Sequence, residues 1–133
     1  MPRTMLAFPN RCRALCVLLA LAACGCGERT VVVTSHLLQL RLDEYRITPQ
    51  LVQVPAGTLQ IVAYDTGILP HDVRIEASNP DRSGNVIVLG GTPAAHPGEK
   101  VTATITLTPG RYQMVDTIAN HGTLGDYGTL IVK

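Results

Sequence analysis

Three side chains near the end of the chain have the chemistry to bind a metal ion or a proton. Asp116, His121 and Asp126 lie within residues 108–133, between two segments that resemble β-strands. Imidazole nitrogens and carboxylate oxygens are ligands for divalent metals, and the same groups also form hydrogen-bonded His–Asp pairs. A metal site would gain from a second histidine, which another part of the fold would have to bring to this loop.

Short β-type segments broken by Gly, Pro, Asn and Asp make up the chain after residue 35, and no stretch has convincing helical periodicity. Valines 31–33 could already begin a strand. Such spacing of short strands and turns predicts an antiparallel β-sandwich or barrel of about eight strands. The predicted strands are residues 36–42, 45–54 with an interruption at Pro49, 58–64, 71–76, 86–89, 101–107, 111–117 and 128–133.

The start of the chain has the composition of a secretory signal. Three arginines precede a short apolar run at residues 14–21, which is followed by small residues. A membrane-spanning helix needs roughly 20 apolar residues, so this run is too short to be one. The sequence LAAC at residues 21–24 resembles the bacterial lipobox, in which the cysteine thiol receives a diacylglyceryl group.

We therefore expect a signal peptide at residues 1–23, a lipidated tether at 24–35 with Cys24 as the lipidation site, and a folded domain at 36–133. The protein would be exported and held by its lipid on the periplasmic side of the cell envelope. The alternative is an ordinary signal peptide cleaved near residue 23, which would leave Cys24 and Cys26 as thiols or paired in a disulfide.

Composition excludes several classes of function. All four cysteines lie in the first 26 residues, so the folded domain has neither a disulfide nor a thiolate. Outside the signal, ten acidic residues face eight basic ones, for a net charge of about −2, and there is no basic run to bind nucleic acid. Neither a Gly-x-Ser-x-Gly motif nor a candidate nucleophilic cysteine is present, so we do not expect an enzyme.

Three segments resemble the cupredoxins, or blue copper proteins. They are VPAG at residues 54–57 before an apolar strand, DTGILPHDV at 65–73, and PGE at 97–99 followed by a threonine-rich strand and PGRY at 109–112. The resemblance covers roughly residues 40–133. It implies a cupredoxin-like Greek-key β-sandwich, and it identifies His71 as the second histidine.

The resemblance also assigns the ligand positions. Where the family has cysteine, histidine and methionine in its last loop, this chain has Asp116, His121 and Asp126, while His71 matches the upstream copper histidine. Both histidines are present and both sulfur ligands are replaced by aspartate. A thiolate stabilises Cu(I) and gives blue copper its colour, whereas a carboxylate oxygen favours Cu(II), so we expect a non-blue site.

The leading hypothesis is a divalent metal, copper or alternatively zinc, bound by His71, Asp116, His121 and Asp126. Asp72 would be either an exposed neighbour or an acceptor for a histidine N–H. One alternative is a metal-free module in which the His–Asp pairs satisfy one another and the loops bind a protein partner at the cell envelope. The other is a copper-dependent electron carrier, as in the wider family.

Nearby residues are assigned to the framework. Met114 belongs on the core face of its strand and is not a ligand. His36 and His96 are expected to be solvated. Tyr45, Tyr64 and Tyr112 are expected to pack against strands, and the Tyr112 hydroxyl could anchor a corner.

Overall fold

The computed structural model describes residues 27–133, which form two β-sheets packed on a shared core. The six-stranded sheet contains, in spatial order, β1 (Val31–Val32), β4 (Leu51–Val54), β10 (Tyr127–Val132), β9 (Gly110–Val115), β6 (Arg74–Ala77) and β7 (Val88–Gly91). The four-stranded sheet contains β3 (Arg46–Thr48), β2 (Leu37–Asp43), β5 (Gly57–Asp65) and β8 (Lys100–Leu107). The predicted signal peptide and Cys24 lie outside the described residues.

Strand pairing is mixed, so the expectation of an antiparallel sandwich is wrong for three of the strand pairs. β2 pairs with β5 in parallel, and β4 pairs in parallel with both β1 and β10, while the other pairs are antiparallel. The predicted segment 45–54 divides at Pro49 into β3 and β4, which belong to different sheets. In the sequence, β3 and β4 lie between β2 and β5. With two strands intervening along the chain, β2 and β5 run in the same direction as neighbours in one sheet.

The core lies between the sheets and follows the alternation in the sequence. Leu38, Leu40 and Leu42 of β2 are buried, as are the odd-numbered apolar residues of β5. On the opposite sheet, Met114 and Leu130 are fully buried against them. Burying a side chain of this size contributes about 1.5–3 kcal/mol, so these faces specify strand register strongly.

Other predicted features differ in detail. Strand 86–89 forms two residues later, as β7, and Val31–Val32 pairs with β4 at the sheet edge.

Tyr112 is half-buried and its hydroxyl donates a hydrogen bond to Thr108 O at 2.8 Å, as expected for a corner anchor. Tyr45 and Tyr64 are exposed, which corrects their assignment to packing positions. Across residues 27–133, the helical segments are too short to cross a bilayer.

Candidate metal centre

Four buried residues meet at one end of the sandwich. Asp116 directly follows β9 and Asp126 directly precedes β10, so the two aspartates face each other where this strand pair ends. The Asp116 N–H donates to Asp126 O at 3.0 Å, which extends the β9–β10 ladder by one pair. His121 begins the one-turn helix α1 (His121–Leu124) within the loop between them.

His71 reaches the same point from the connection between β5 and β6. Its backbone exchanges two hydrogen bonds with Ala95, at 3.0 Å and 2.8 Å, which hold this segment against the loop before β8. The side chain is fully buried, and its ring centroid is 4.9 Å from that of His121. The fold therefore brings His71 to Asp116, which lies 45 positions later in the sequence.

The ligand loop closes tightly through residues with special backbone geometry. Asn120 has a φ of 65° just before α1, and asparagine tolerates this left-handed conformation better than most residues. A Cβ at Gly122 would lie 2.6 Å from Val115 Cγ1 and 2.9 Å from Asp116 O, so a larger residue would push the loop away. The Gly122 N–H instead donates to Asp116 O at 3.0 Å.

Asp116 is at the centre of the cluster. Its Oδ2 lies 2.7 Å from His71 Nδ1 and 3.0 Å from His121 Nδ1, and its Oδ1 accepts the Ile118 N–H at 2.8 Å. Asp126 Oδ2 is 3.0 Å from the same nitrogen of His71, but does not complete a hydrogen bond with it. One potential ligand atom from each of the four residues lies within 4.8 Å of the others.

Burial, hydrogen bonds and neighbouring charges shift the pKa values of Asp116, Asp126 and His71. Burial acts to raise the pKa of Asp116, but hydrogen bonds from the Ile118 N–H and both histidines outweigh it, so that pKa is lowered. Burial raises the pKa of Asp126 to about 7, assisted by the negative charge of Asp116. Burial acts to lower the pKa of His71, but the hydrogen bond to Asp116 and the charge of Asp126 raise it instead.

Three atoms in this cluster lack hydrogen-bond partners within residues 27–133: both carboxylate oxygens of Asp126, and His71 Nε2. Each belongs to a side chain that is completely buried. An unsatisfied buried polar group costs about 1–3 kcal/mol, so native proteins rarely leave several in one place. Their concentration here indicates that a further group belongs in the site.

Glu44, which lies just after β2, is a further residue of this site that the sequence did not predict. Its Oε1 accepts the backbone N–H groups of Ile68 and Leu69, and lies 3.8 Å from His71 Nε2. The Ile68 N–H is the main reason that the pKa of Glu44 is lowered to about 2. The chain has no local signal for this contact, because Glu44 looks like any charged residue that ends a strand.

The structure contradicts both predictions made for Asp72, an exposed position and an acceptor for a histidine N–H. It is buried and not exposed, and it accepts hydrogen bonds from Thr117 N at 2.7 Å, Thr117 Oγ1 at 2.9 Å and Arg74 Nε at 3.2 Å. In the described part of the chain its hydrogen bonds include none from a histidine. Asp72 therefore supports the ligand loop through Thr117, one residue beyond Asp116.

The remaining candidates fall where the sequence predicted. Met114 is fully buried within the hydrophobic core. His36 and His96 are exposed. The ring of Tyr45 meets that of His121 edge-on at a centroid distance of 6.1 Å, so this exposed tyrosine partly covers the cluster.

Comparison with known proteins identifies the architecture. No protein-family model and no curated protein sequence matches the chain. Among solved structures, it is similar to auracyanin from Roseiflexus castenholzii, with a TM-score of 0.65 and 20% identity over 76% of this chain and 99% of that one. It is also similar to rusticyanin from Thiobacillus ferrooxidans, with a TM-score of 0.58 and 21% identity over 80% of this chain and 83% of that one. A purple cupredoxin from Nitrosopumilus maritimus matches with a TM-score of 0.53 and 17% identity over 72% of this chain and 99% of that one.

At these identities the likeness concerns the fold. Auracyanin A, another match with a TM-score of 0.61, is described as a "blue" copper protein. The two-sheet arrangement and these neighbours confirm the predicted fold class: the chain is a cupredoxin-like Greek-key β-sandwich, with two histidines and two aspartates clustered at one end.

Proposed function

We propose that the protein binds one divalent metal ion, copper or alternatively zinc, through His71, His121 and Asp116, with Asp126 as a fourth ligand. The observation that supports this most strongly is the convergence of these four buried side chains. Two imidazoles and two carboxylates suit Zn²⁺ in tetrahedral form or Cu(II) in tetragonal form. Cu(II) has the higher intrinsic affinity for such ligands.

The spacing of the donor atoms is compatible with this proposal after small side-chain movements. Ligands about 2.0–2.2 Å from a tetrahedral ion are separated from one another by about 3.3–3.6 Å. In the cluster, the closest contacts are 2.7 Å and 3.0 Å, and the widest separation is 4.8 Å. Movements of the side chains by about 1 Å would therefore suffice. The unsatisfied oxygens of Asp126 would gain a partner.

The donor set does not fit a blue-copper centre. Such a centre needs a thiolate in a trigonal arrangement with two histidines, and Asp116 stands at the position where the resemblance places that cysteine. Cysteines occur only in the first 26 residues of the chain. We therefore favour a static metal site over an electron carrier, because hard oxygen ligands stabilise Cu(II) against reduction.

A metal-free interaction module is the second candidate, and one observation favours it. Asp116 already accepts hydrogen bonds from both His71 and His121, so part of the cluster is satisfied without a metal. Against it stand the unsatisfied atoms of Asp126 and His71. This candidate predicts no saturable metal binding, and a protein partner recovered through the loops at this end.

Isothermal titration calorimetry of the purified protein with Zn(II) and Cu(II) tests the proposal. We expect one saturable site, and a loss of at least tenfold in affinity in His71→Ala and His121→Ala. His96→Ala is the matched control, because His96 is exposed, and it should bind as the wild type does. Absence of saturable binding, or equal binding by all variants, would refute the metal site.

We also propose that the chain is an exported lipoprotein anchored through Cys24. The support is the sequence alone: the arginine-rich start, the short apolar run and the LAAC ending. Metabolic labelling with a fatty acid should mark the wild type, while Cys24→Ala should remain unlabelled. Labelling that persists in the variant would rule out this anchor.

A further inference from the structure

His71 can coordinate a metal through Nδ1 only if its ring has a particular protonation. Nδ1 is the nitrogen that faces Asp116 and Asp126, at 2.7 Å and 3.0 Å. A neutral imidazole that uses Nδ1 as a ligand must hold its proton on Nε2. That Nε2–H would be completely buried, so it would need an acceptor.

The carboxylate of Glu44 is placed to be that acceptor. Its Oε1 is 3.8 Å from His71 Nε2, about 0.6 Å beyond the upper end of the hydrogen-bonding range. Nε2 has no hydrogen-bond partner within residues 27–133. Metal-bound histidines commonly donate their other ring N–H to a carboxylate or a carbonyl, which fixes the ring and raises its basicity.

The loop before His71 is built to admit this carboxylate. Glu44 Oε1 accepts the N–H groups of Ile68 and Leu69. A Cβ at Gly67 would lie 2.5 Å from Glu44 Oε1 and 3.0 Å from its Cδ, so any other residue at position 67 would displace the carboxylate. One oxygen thus contacts both the exposed loop tip and the buried histidine.

We propose that Glu44 is a positioning residue for the metal site: it accepts the Nε2–H of His71 when Nδ1 binds the metal, and it links metal binding to the loop at Ile68 and Leu69. This inference rests on the proposed metal-binding function. Ile68 is 82% exposed, so a change in the hydrogen bonds of this loop would reach the protein surface beside the site.

Zinc titration of three variants tests the proposal. Removing such an acceptor typically lowers metal affinity 10–100-fold, and we expect a loss in this range for Glu44→Ala. Glu44→Gln keeps a carbonyl oxygen and should lose less. Glu99→Ala is the matched control, because Glu99 also accepts a backbone N–H, from His96 in an exposed turn, and it should bind zinc as the wild type does.

Nuclear magnetic resonance supplies a readout that a general loss of stability would not reproduce. In the zinc-loaded wild type, ring ¹⁵N shifts should show the proton of His71 on Nε2. The amide signals of Ile68 and Leu69 should move on zinc binding in the wild type, and by much less in Glu44→Ala. Unchanged amide signals in the wild type would overturn the link to the loop.

The outcomes separate this inference from the metal site itself. If the wild type binds zinc and Glu44→Ala binds equally well, the role of Glu44 is refuted while the metal site stands. If Glu99→Ala loses as much affinity as Glu44→Ala, the effect is general to these loops and the role is again refuted. If the wild type binds neither zinc nor copper, both proposals fail.

Discussion

Asp126 should make the metal-free protein less stable as the pH rises. Its carboxyl group has no hydrogen-bond partner within residues 27–133, and burial raises its pKa from 3.8 to about 7. A group with a higher pKa in the folded state binds a proton on folding, so stability is greatest below the unfolded pKa and declines as pH rises through the folded one. The decline should occur between about pH 4 and pH 7.

The size of the effect follows from the same shift. Each pKa unit corresponds to about 1.4 kcal/mol, so a rise of about three units corresponds to an order of 4 kcal/mol. The raised pKa of His71 acts in the same direction at higher pH, since folding favours its protonated form. The lowered pKa of Asp116 acts oppositely, but only below its unfolded value of 3.8.

Urea unfolding in a chelator at about pH 4, 6 and 8 measures this directly. Asp126→Asn should match the wild type near pH 4 and exceed its unfolding free energy near pH 8, because the amide cannot ionise. Asp81→Asn is the control: hydrogen bonds from the Asn85 backbone and side chain lower the pKa of Asp81, so its loss should reduce stability at the higher pH. If Asp126→Asn follows the wild type at every pH, the account of the buried carboxyl is wrong.

Three further substitutions test the framework. Asp116→Cys should give an intense visible absorption with Cu(II), because a thiolate would join the two histidines; an absorption spectrum without that band would contradict the assigned position. Met114→Leu should cost less than about 1.5 kcal/mol in urea unfolding and leave zinc affinity unchanged by calorimetry, whereas a loss of affinity would make Met114 a ligand. Tyr112→Phe should lower the unfolding free energy by about 0.5–1.5 kcal/mol through loss of the bond to Thr108, and an unchanged urea midpoint would refute that anchor.

Strands with one buried face were predictable from sequence, and irregular segments were not. β2, β5 and β8 alternate cleanly because one side of each faces the core. The division of residues 45–54 into two strands depends on which sheet each half joins, and local pattern does not contain that information. The displacement of β7 has a similar origin, since its pairing with β6 includes an irregularity between Ile75 and Glu76.

Residue types alone pointed to Asp116, His121 and Asp126, and the resemblance to the cupredoxins added His71. The structure brings these four residues together. The complete burial of Asp126 could not be read from its position in a glycine-rich loop, which is more typical of solvated residues. Glu44 was missed because its contact with His71 arises from packing between separate loops.

Anomalous X-ray diffraction from crystals of the zinc-loaded protein tests the metal site most directly. We predict one strong peak at the zinc edge, surrounded by His71 Nδ1, His121 Nδ1 and carboxylate oxygens of Asp116 and Asp126 at about 2.0–2.2 Å. A cluster without a peak in both zinc-loaded and copper-loaded crystals, with its hydrogen bonds intact at 2.7 Å and 3.0 Å, would contradict the proposed metal site.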